Sequence, residues 1–562
     1  HILVNKITLG VESNAAYLYR IRTTGELSAI QKSGKGKNYY LPFVYAYLDS
    51  LQYCETVCGY IPKFVQYTIL RDIHWRFRQN LIPDGLLSDS EITEYRQCLQ
   101  DILRYIDDDI IIKQGQIWPE YKCYMLSQKY GCPPDLHIRT NDIVTHFNNT
   151  VLSMVSQNSC SIELLHVKNN ILFIEGYMKA LGITANESLE VFLKIQDRQI
   201  LCEPIERPNL DLYVFDDFVC RGVAFKGQLE LDPTVNQYQL QLVLRCRGID
   251  IIKSDLQFGK FAPLSRVYQN AYYFSENWAI TTTHNSIYIT RCGRLGHICH
   301  EFHFLREIWR KNKLGGRKAV FARVCTYIIR QLKRKEIWLI CDKANRADDN
   351  GEAFFTYLQR QKPTHVKPYF LISKESSDFE RLSKIGTVLP YMGWKHKLLY
   401  LSANYIISAY SHNEINNPFI GYDHAYRDLM QKCKYIFIQH GIIHNDVSKG
   451  LNRYAKNITG FVTSALREQQ YIINTPSYGY SSKDIWLTGL PRHDRLYRAE
   501  QREIVLMPTW RSHLMGQYHP KDSSWDLNTG FQESSYYQFY YALLHNERLL
   551  TKAKELDYKI NF

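Results

Sequence analysis

Three short runs in the carboxy-terminal third place polar or ionisable residues where a buried strand gives way to a loop. Tyr435-Ile436-Phe437-Ile438-Gln439 ends on His440-Gly441. Trp486-Leu487 leads into Thr488-Gly489-Leu490-Pro491-Arg492-His493-Asp494-Arg495-Leu496. Ile504-Val505-Leu506-Met507 leads into Pro508-Thr509-Trp510-Arg511. In open α/β sheets ligands bind outside the carboxyl ends of the strands, so polar residues there read as chemistry rather than packing. Imidazole titrates near neutrality, so His440 could take a proton from an attacking hydroxyl, with Gly441 letting the chain turn and a ligand approach the backbone. The competing reading makes His440 a structural histidine bonded to a neighbouring loop. Arg492 and Arg495, with Asp494 between them, could hold a diphosphate; an Arg–Asp ion pair fixing the crossover is the alternative. Thr509 and Arg511 are expected to face the same cleft. His444 and His493 are weaker candidates on loops. Asp342, Asp348, Asp349 and Asn350 line the first strand-to-helix loop, either touching an acceptor or capping the next helix.

The elements that must position these residues begin near Glu336. Ile337 to Cys341, Tyr369 to Ile372, Tyr405 to Ser408, Tyr435 to Gln439 and Phe461 to Thr463 are short apolar runs with helical stretches between them. Strands buried on both faces and separated by helices predict a parallel doubly wound sheet over 336–482. A second unit of the same kind starts in 484–562 and is unfinished at Phe562. The chain begins at His1 and ends in Lys559-Ile560-Asn561-Phe562, which reads as a strand just begun; a piece of a longer protein is expected.

Upstream the pattern changes. Residues 1–150 read as mainly helical, with a capping box at Ser88-Asp89-Ser90-Glu91 and a helix face of Ile92, Tyr95, Leu99, Ile102, Leu103 and Ile106. Asp107-Asp108-Asp109 is an acidic triplet better read as a solvated turn than as a metal site. Residues 160–292 alternate with period two, as in Tyr238, Leu240, Leu242 and Leu244, and predict an antiparallel β-sandwich-like accessory domain. Residues 300–335 are a basic linker, in which Val320, Val324, Tyr327 and Ile328 recur at helical spacing. That helix either lies on an anionic membrane surface or packs on one domain.

The 562 residues carry a formal net charge of +13 and 45% hydrophobic residues, enough for several cores. A basic balance suits an anionic substrate or membrane surface, and no Lys/Arg arm points to nucleic acid. The 14 cysteines form no repeating framework, which predicts a reducing, cytoplasmic setting. Cys292, His297, Cys299, His300 and His303 are zinc-ligand types, and His297 and Cys299 would share a face on a strand. They lack the paired short spacings of structural zinc sites, so no metal is assigned. No apolar run reaches the roughly 18 residues of a membrane-spanning helix. A Walker loop, a GxGxxG after a strand, HExxH and GxSxG are all missing. This argues against a nucleotide triphosphatase, a common dehydrogenase, a zincin and an α/β-hydrolase.

The runs Ile438-Gln439-His440-Gly441, Thr488 to Leu496 and Met507 to Arg511, with Asp349-Asn350-Gly351 and Phe354-Phe355, resemble the CDP-glycerol glycerophosphotransferase family, builders of teichoic acids and related capsules. The resemblance covers about 336–562. It implies a B-type glycosyltransferase fold, an α/β architecture of two facing Rossmann-like halves. The CDP-glycerol or CDP-ribitol donor would sit against the second half, and His440 would be the general base of the first. No cofactor is expected, the acceptor is expected to be an anionic polymer or glycan, and the basic balance suits peripheral contact with the inner face of an anionic membrane. The family's second histidine and its donor loop are expected beyond Lys559. A softer resemblance, in Ala16 to Arg22, Ile61 to Tyr67, Asp72 and Trp75-Arg76, is to the tail of a family-2 glycosyltransferase. The expected function is polyol-phosphate transfer to a polymer hydroxyl with release of CMP. The alternatives are a sugar-nucleotide B-type glycosyltransferase and a non-catalytic polymer- or membrane-binding scaffold.

Overall fold

The computed structural model describes residues 39–79, 82, 86–147, 150–184, 186–207, 210–313, 315–498, 501–509, 511–519, 524–528 and 530–561. Ala16 to Arg22 and Trp510 lie outside them. The chain divides into two compact units. One takes the described residues up to Pro62, Ile82–Ile102 and the chain from Arg495; the other takes Lys63–Leu81 and Leu103–Asp494. This division cuts across the helical region expected over 1–150.

Helices in that region follow the sequence signals. The backbone N–H of Ser88 donates to Glu91 at 2.9 Å and that of Glu91 to the Ser88 hydroxyl at 3.4 Å, the reciprocal capping box. Tyr95, Leu99, Ile102 and Leu103 are buried along Asp89–Arg104. Of the acidic triplet, Asp107 is exposed in the turn between two helices, as expected, while Asp108 and Asp109 open the next helix. Asp107 binds Gln66, Asp108 binds Lys129 and Tyr130, and Asp109 binds Lys113, while Asp108–Lys113 is a short helix burying Ile110 and Ile111. Arg76, 3% exposed, pairs with Asp72 at 2.7 Å.

Between Cys160 and Arg291 two sheets share one apolar core. The first runs Leu256–Phe258, Cys160–Lys168, Ile171–Leu181, Asp217–Glu230, Glu203–Ile205; the second runs Tyr273–Ser275, Trp278–Thr282, Ile287–Arg291, Gln237–Cys246, Leu189–Ile195, Arg198–Leu201. Alternate residues of both, Ile162, Leu172, Ile174 and Leu240, Leu242, Leu244 among them, are fully buried in that core. Side chains of the 427–454 region fasten these sheets to the carboxy-terminal part of the same unit. Glu175 accepts from Arg453 at 3.2 Å and Tyr454 at 3.1 Å, and Arg427 donates to the carbonyls of Phe258, Gly259 and Leu264.

The basic segment forms two helices, α1 (Arg294–Lys311) and α2 (Arg317–Leu332). Then come β1 (Glu336–Cys341), α3 (Asn350–Gln361), β2 (Val366–Ile372), α4 (Asp378–Ser383), β3 (Val388–Pro390), α5 (Trp394–Ser402), β4 (Tyr405–Ser408), β5 (Lys434–Phe437), β6 (Ile458–Thr463), α6 (Leu466–Asn474) and β7 (Ile485–Leu487). The strands form one sheet in the order β3-β2-β1-β4-β5-β6-β7, every neighbouring pair parallel. Ile337, Leu339, Cys341, Ile406 and Phe437 pack on one face with Ala319, Ala322, Tyr400 and Ile472 from α2, α5 and α6. Ile340, Phe370, Ile407, Ile436 and Val462 pack on the other with Phe355, Leu358 and Leu382 from α3 and α4. A strand buried on both faces has no room for polar alternation, which is why these runs read as continuously apolar. Beyond α3 that second face keeps an apolar hollow of ≈ 340 Å³, walled by Trp338, Phe354, Tyr405, Ile436 and Trp486 among others.

In the other unit β8 (Glu503–Val505) pairs in parallel with β9 (Lys559–Asn561), and α7 (Ser535–Leu544) and α8 (Glu547–Glu555) lie between them in sequence. Lys559–Asn561 is thus the strand its alternation predicted. Among the described residues no helix is long and apolar enough to cross a membrane.

Candidate functional site

The carboxyl end of β1 runs into Asp342, which is 1% exposed. Its carboxylate accepts the backbone N–H groups of Asp349 (3.1 Å), Gly351 (2.7 Å) and Glu352 (3.0 Å) at the start of α3. Helix amino termini carry unsatisfied N–H groups and partial positive charge, so a carboxylate belongs there. Burial outweighs those donors and pushes the Asp342 carboxyl up to about 7, with Asp349 adding to the rise. A Cβ on Gly351 would lie 2.6 Å from Asp342 Oδ1, so only glycine fits so close a cap. Asp342 therefore serves the helix rather than a ligand.

Asp349 and Asn350 tie this loop to two others. Asp349 Oδ1 accepts from the Asn350 N–H and from Arg492 Nη1, both at 2.8 Å. Asn350 is fully buried. Its amide donates to the Gln439 carbonyl at 2.8 Å and accepts the Arg492 N–H at 2.9 Å. The ion pair foreseen for Arg492 exists, but with Asp349 rather than Asp494.

Gln439 carries the backbone into the left-handed region at φ 54°, next to the histidine. Such a conformation in a non-glycine residue has to be held by its surroundings. The 1% exposed side chain donates to the Val462 carbonyl and to Glu468, and Glu468 also accepts the N–H groups of Ile443 (2.8 Å) and Ser464 (3.0 Å). The left-handed turn expected of Gly441 falls on Gln439 instead; a Cβ on Gly441 would meet open space.

His440 is exposed, with Nδ1 3.3 Å from the Ala409 carbonyl. A carbonyl only accepts, so Nδ1 carries the hydrogen and the neutral ring keeps its lone pair on Nε2. Its plane lies parallel to the Tyr410 ring, 7° apart with centroids at 4.6 Å. Tyr410 is itself fixed: its N–H donates to Ser408 Oγ at 3.0 Å, and its carbonyl accepts from Ser408 (2.8 Å) and Tyr435 (3.0 Å). Burial pushes its phenol up, helped by the charges of Asp349 and Asp342 and by a hydrogen bond to Asp349. His440, Asp349, Asn350 and Arg492 thus form one connected group. Tyr410, Gln439 and Glu468 complete it.

His444, His493 and Asp494 are exposed, the last two on the short turn Pro491–Arg495. Arg495, Thr509 and Arg511 belong to the other unit, where the Thr509 carbonyl accepts from Tyr536 and Arg511 lies 5.6 Å from the Tyr536 ring. His297, Cys299, His300 and His303 are on α1 rather than on a strand, and Cys292 precedes that helix. His297 stacks on Phe274 at 4.2 Å and His300 on Tyr272 at 5.3 Å. Among the described residues no three potential ligands gather round a metal position.

Residues 322–561 match the family described as CDP-Glycerol:Poly(glycerophosphate) glycerophosphotransferase. The whole chain aligns, at 29% identity over 579 residues, with the minor teichoic acid biosynthesis protein GgaB of Bacillus subtilis (strain 168), spanning 63% of that protein's length. A structure of the wall teichoic acid polymerase TagF is a more distant likeness, with a TM-score of 0.28 and 11% identity, over 39% of this chain and 58% of that one. The likeness to this family rests on residues 322–561, less than half of the chain, and the chain spans less than two thirds of the length of its curated relative.

Proposed function

We propose that the protein transfers glycerol phosphate or ribitol phosphate from a CDP-polyol to a hydroxyl of a growing cell-surface polymer, with His440 as general base. The observation that carries this reading is the 3.3 Å contact of His440 Nδ1 with the Ala409 carbonyl, an acceptor that favours the hydrogen on Nδ1 and so leaves Nε2 to take a proton. The acceptor oxygen attacks the phosphorus next to the polyol and forms the new P–O bond. The bond from that phosphorus to the CMP oxygen breaks, the hydroxyl proton goes to Nε2, and CMP leaves. Asp349, Asn350 and Arg492 fix the loops on either side of His440, so Arg492 positions the site, and its remaining guanidinium nitrogens face the diphosphate role read for it. Gly441, Asp494, Arg495, Thr509 and Arg511 are proposed as further substrate contacts.

The family match, the GgaB relationship and the basic charge all support an anionic polymer as acceptor. Peripheral contact with an anionic membrane is part of the same proposal. Leu295, Ile298, Phe302 and Trp309 recur on one side of α1, and Phe321, Val324, Ile328 and Leu332 on one side of α2, all exposed. Arg306, Arg310, Lys318, Arg334 and Lys335 are exposed beside them. Apolar stripes flanked by cations suit an interfacial helix pair.

The test is CMP release from CDP-glycerol and CDP-ribitol with a poly(glycerol phosphate) primer, using this chain. Expected is turnover that falls by about 10²–10⁴-fold in His440→Ala, the usual worth of a general base. Equal release by the variant, or release only from a nucleotide sugar, overturns the proposal.

A further inference from the structure

One aromatic ring in the site carries two groups. The Tyr410 ring packs parallel to the His440 imidazole, and the Lys343 ammonium lies 4.8 Å from the same ring's centroid. Lys343 follows Asp342 at the carboxyl end of β1, and Tyr410 follows Ser408 at the carboxyl end of β4, the strand paired beside β1. The topology therefore brings this cation and the candidate base to the same edge of the sheet. Lys343 is exposed, and among the described residues no carboxylate pairs with it. The nearby carboxylates are already engaged, Asp342 by three N–H groups and Asp349 by Arg492. The ring face holds the ammonium without neutralising it.

We propose that Lys343 binds a phosphate of the acceptor polymer and that Tyr410 sets its distance from His440, so that the terminal hydroxyl of a phosphate-bearing chain arrives at Nε2. This rests on the transfer reaction proposed above. A phosphodiester is anionic at every working pH, and an ammonium is a flexible point-charge partner for it. Arg492 already gives Nη1 to Asp349, and its planar fork is not a flexible point charge. Lys343 selects by charge: an acceptor already carrying phosphate is held, and a neutral polyol glycoside is not.

The first test is direct binding, which needs no turnover. A short glycerol-phosphate oligomer is titrated into this chain and into its Lys343→Gln variant at low and at moderate salt. The variant is expected to bind about tenfold more weakly at low salt, a single ion-pair contact's worth, with the gap closing as salt screens the charge. Equal affinity at low salt overturns the proposal. In turnover, Lys343→Gln is expected to raise KM for the oligomer and leave KM for CDP-glycerol and for a neutral polyol glycoside unchanged. A rise in the donor KM, or the same rise for the neutral acceptor, overturns it as well. Tyr410→Leu should lower kcat at unchanged melting temperature. A protein that releases no CMP, with binding that still depends on Lys343, sinks the transfer reaction and leaves the phosphate site standing.

Discussion

His396 is fully buried, with Nδ1 accepting the Met392 N–H at 3.0 Å and Nε2 without a partner among the described residues. Burial holds its imidazole down to about 4, and Lys397 pushes the same way. The unfolded chain protonates this group near the usual value of about 6.5, whereas the folded chain resists. The stability it contributes is complete above that value and is lost as pH falls towards about 4, at about 1.4 kcal/mol per pH unit. Urea midpoints are expected to drop between pH 7 and pH 5, and to drop less in His396→Asn, whose amide oxygen replaces the Nδ1 acceptor. Parallel profiles for the two proteins would refute this; the comparison isolates His396 from other histidines, such as His297 and His300, that shift the same way. At this scale the position of His440 just beyond the end of β5 was legible in the sequence, because a strand end followed by glycine is a local signal. Tyr410 was not, being one of 42 tyrosines, with a role that comes from a neighbouring strand. The partner of Arg492 was hidden too, since Asp494 stands close in sequence and the ion pair forms with Asp349 across the sheet.

α1 and α2 are fastened to the parallel sheet by a buried charge group. Arg323 is 0% exposed, and its guanidinium meets Glu301 at 2.7 and 2.6 Å and Asp428 at 2.7 and 2.8 Å. Tyr272 and Tyr327 also donate to Glu301. Burial works against the guanidinium charge, and the two carboxylates outweigh it. Removing one partner of such a group strands charges that water no longer reaches. Arg323→Ala is expected to destabilise the protein by about 3–5 kcal/mol in urea unfolding, the range for a broken buried pair. A loss below about 1 kcal/mol would mean the group is as solvated as a surface pair. The helical period of this segment and its basic flanks can be read locally, and on such a helix a charged residue reads as solvated. Nothing local says that Arg323 points inward, because its partners lie 22 and 105 residues away.

Across the whole molecule, the change from helical to alternating to strand-and-helix patterning was legible, because period and apolar run length are written locally. The division into units was not, because residues before Pro62 and after Arg495 group together only through contacts distant in sequence. The exposed stripes of α1 and α2 lead to an expectation for the chain as a body. It should sediment with vesicles containing anionic lipid, much less with neutral vesicles or at high salt, and Phe302→Ser with Phe321→Ser should release it. Sedimentation indifferent to lipid charge and to both substitutions would remove the membrane from the proposal. The hollow beside Trp486 has a calorimetric consequence. Apolar surface that folding leaves wet adds nothing to the heat-capacity increment of unfolding, so this unit should show less than a sheet sheathed on both sides. Whatever closes over those tryptophans will announce itself as a negative heat-capacity change on association, whether or not it alters the rate of any reaction.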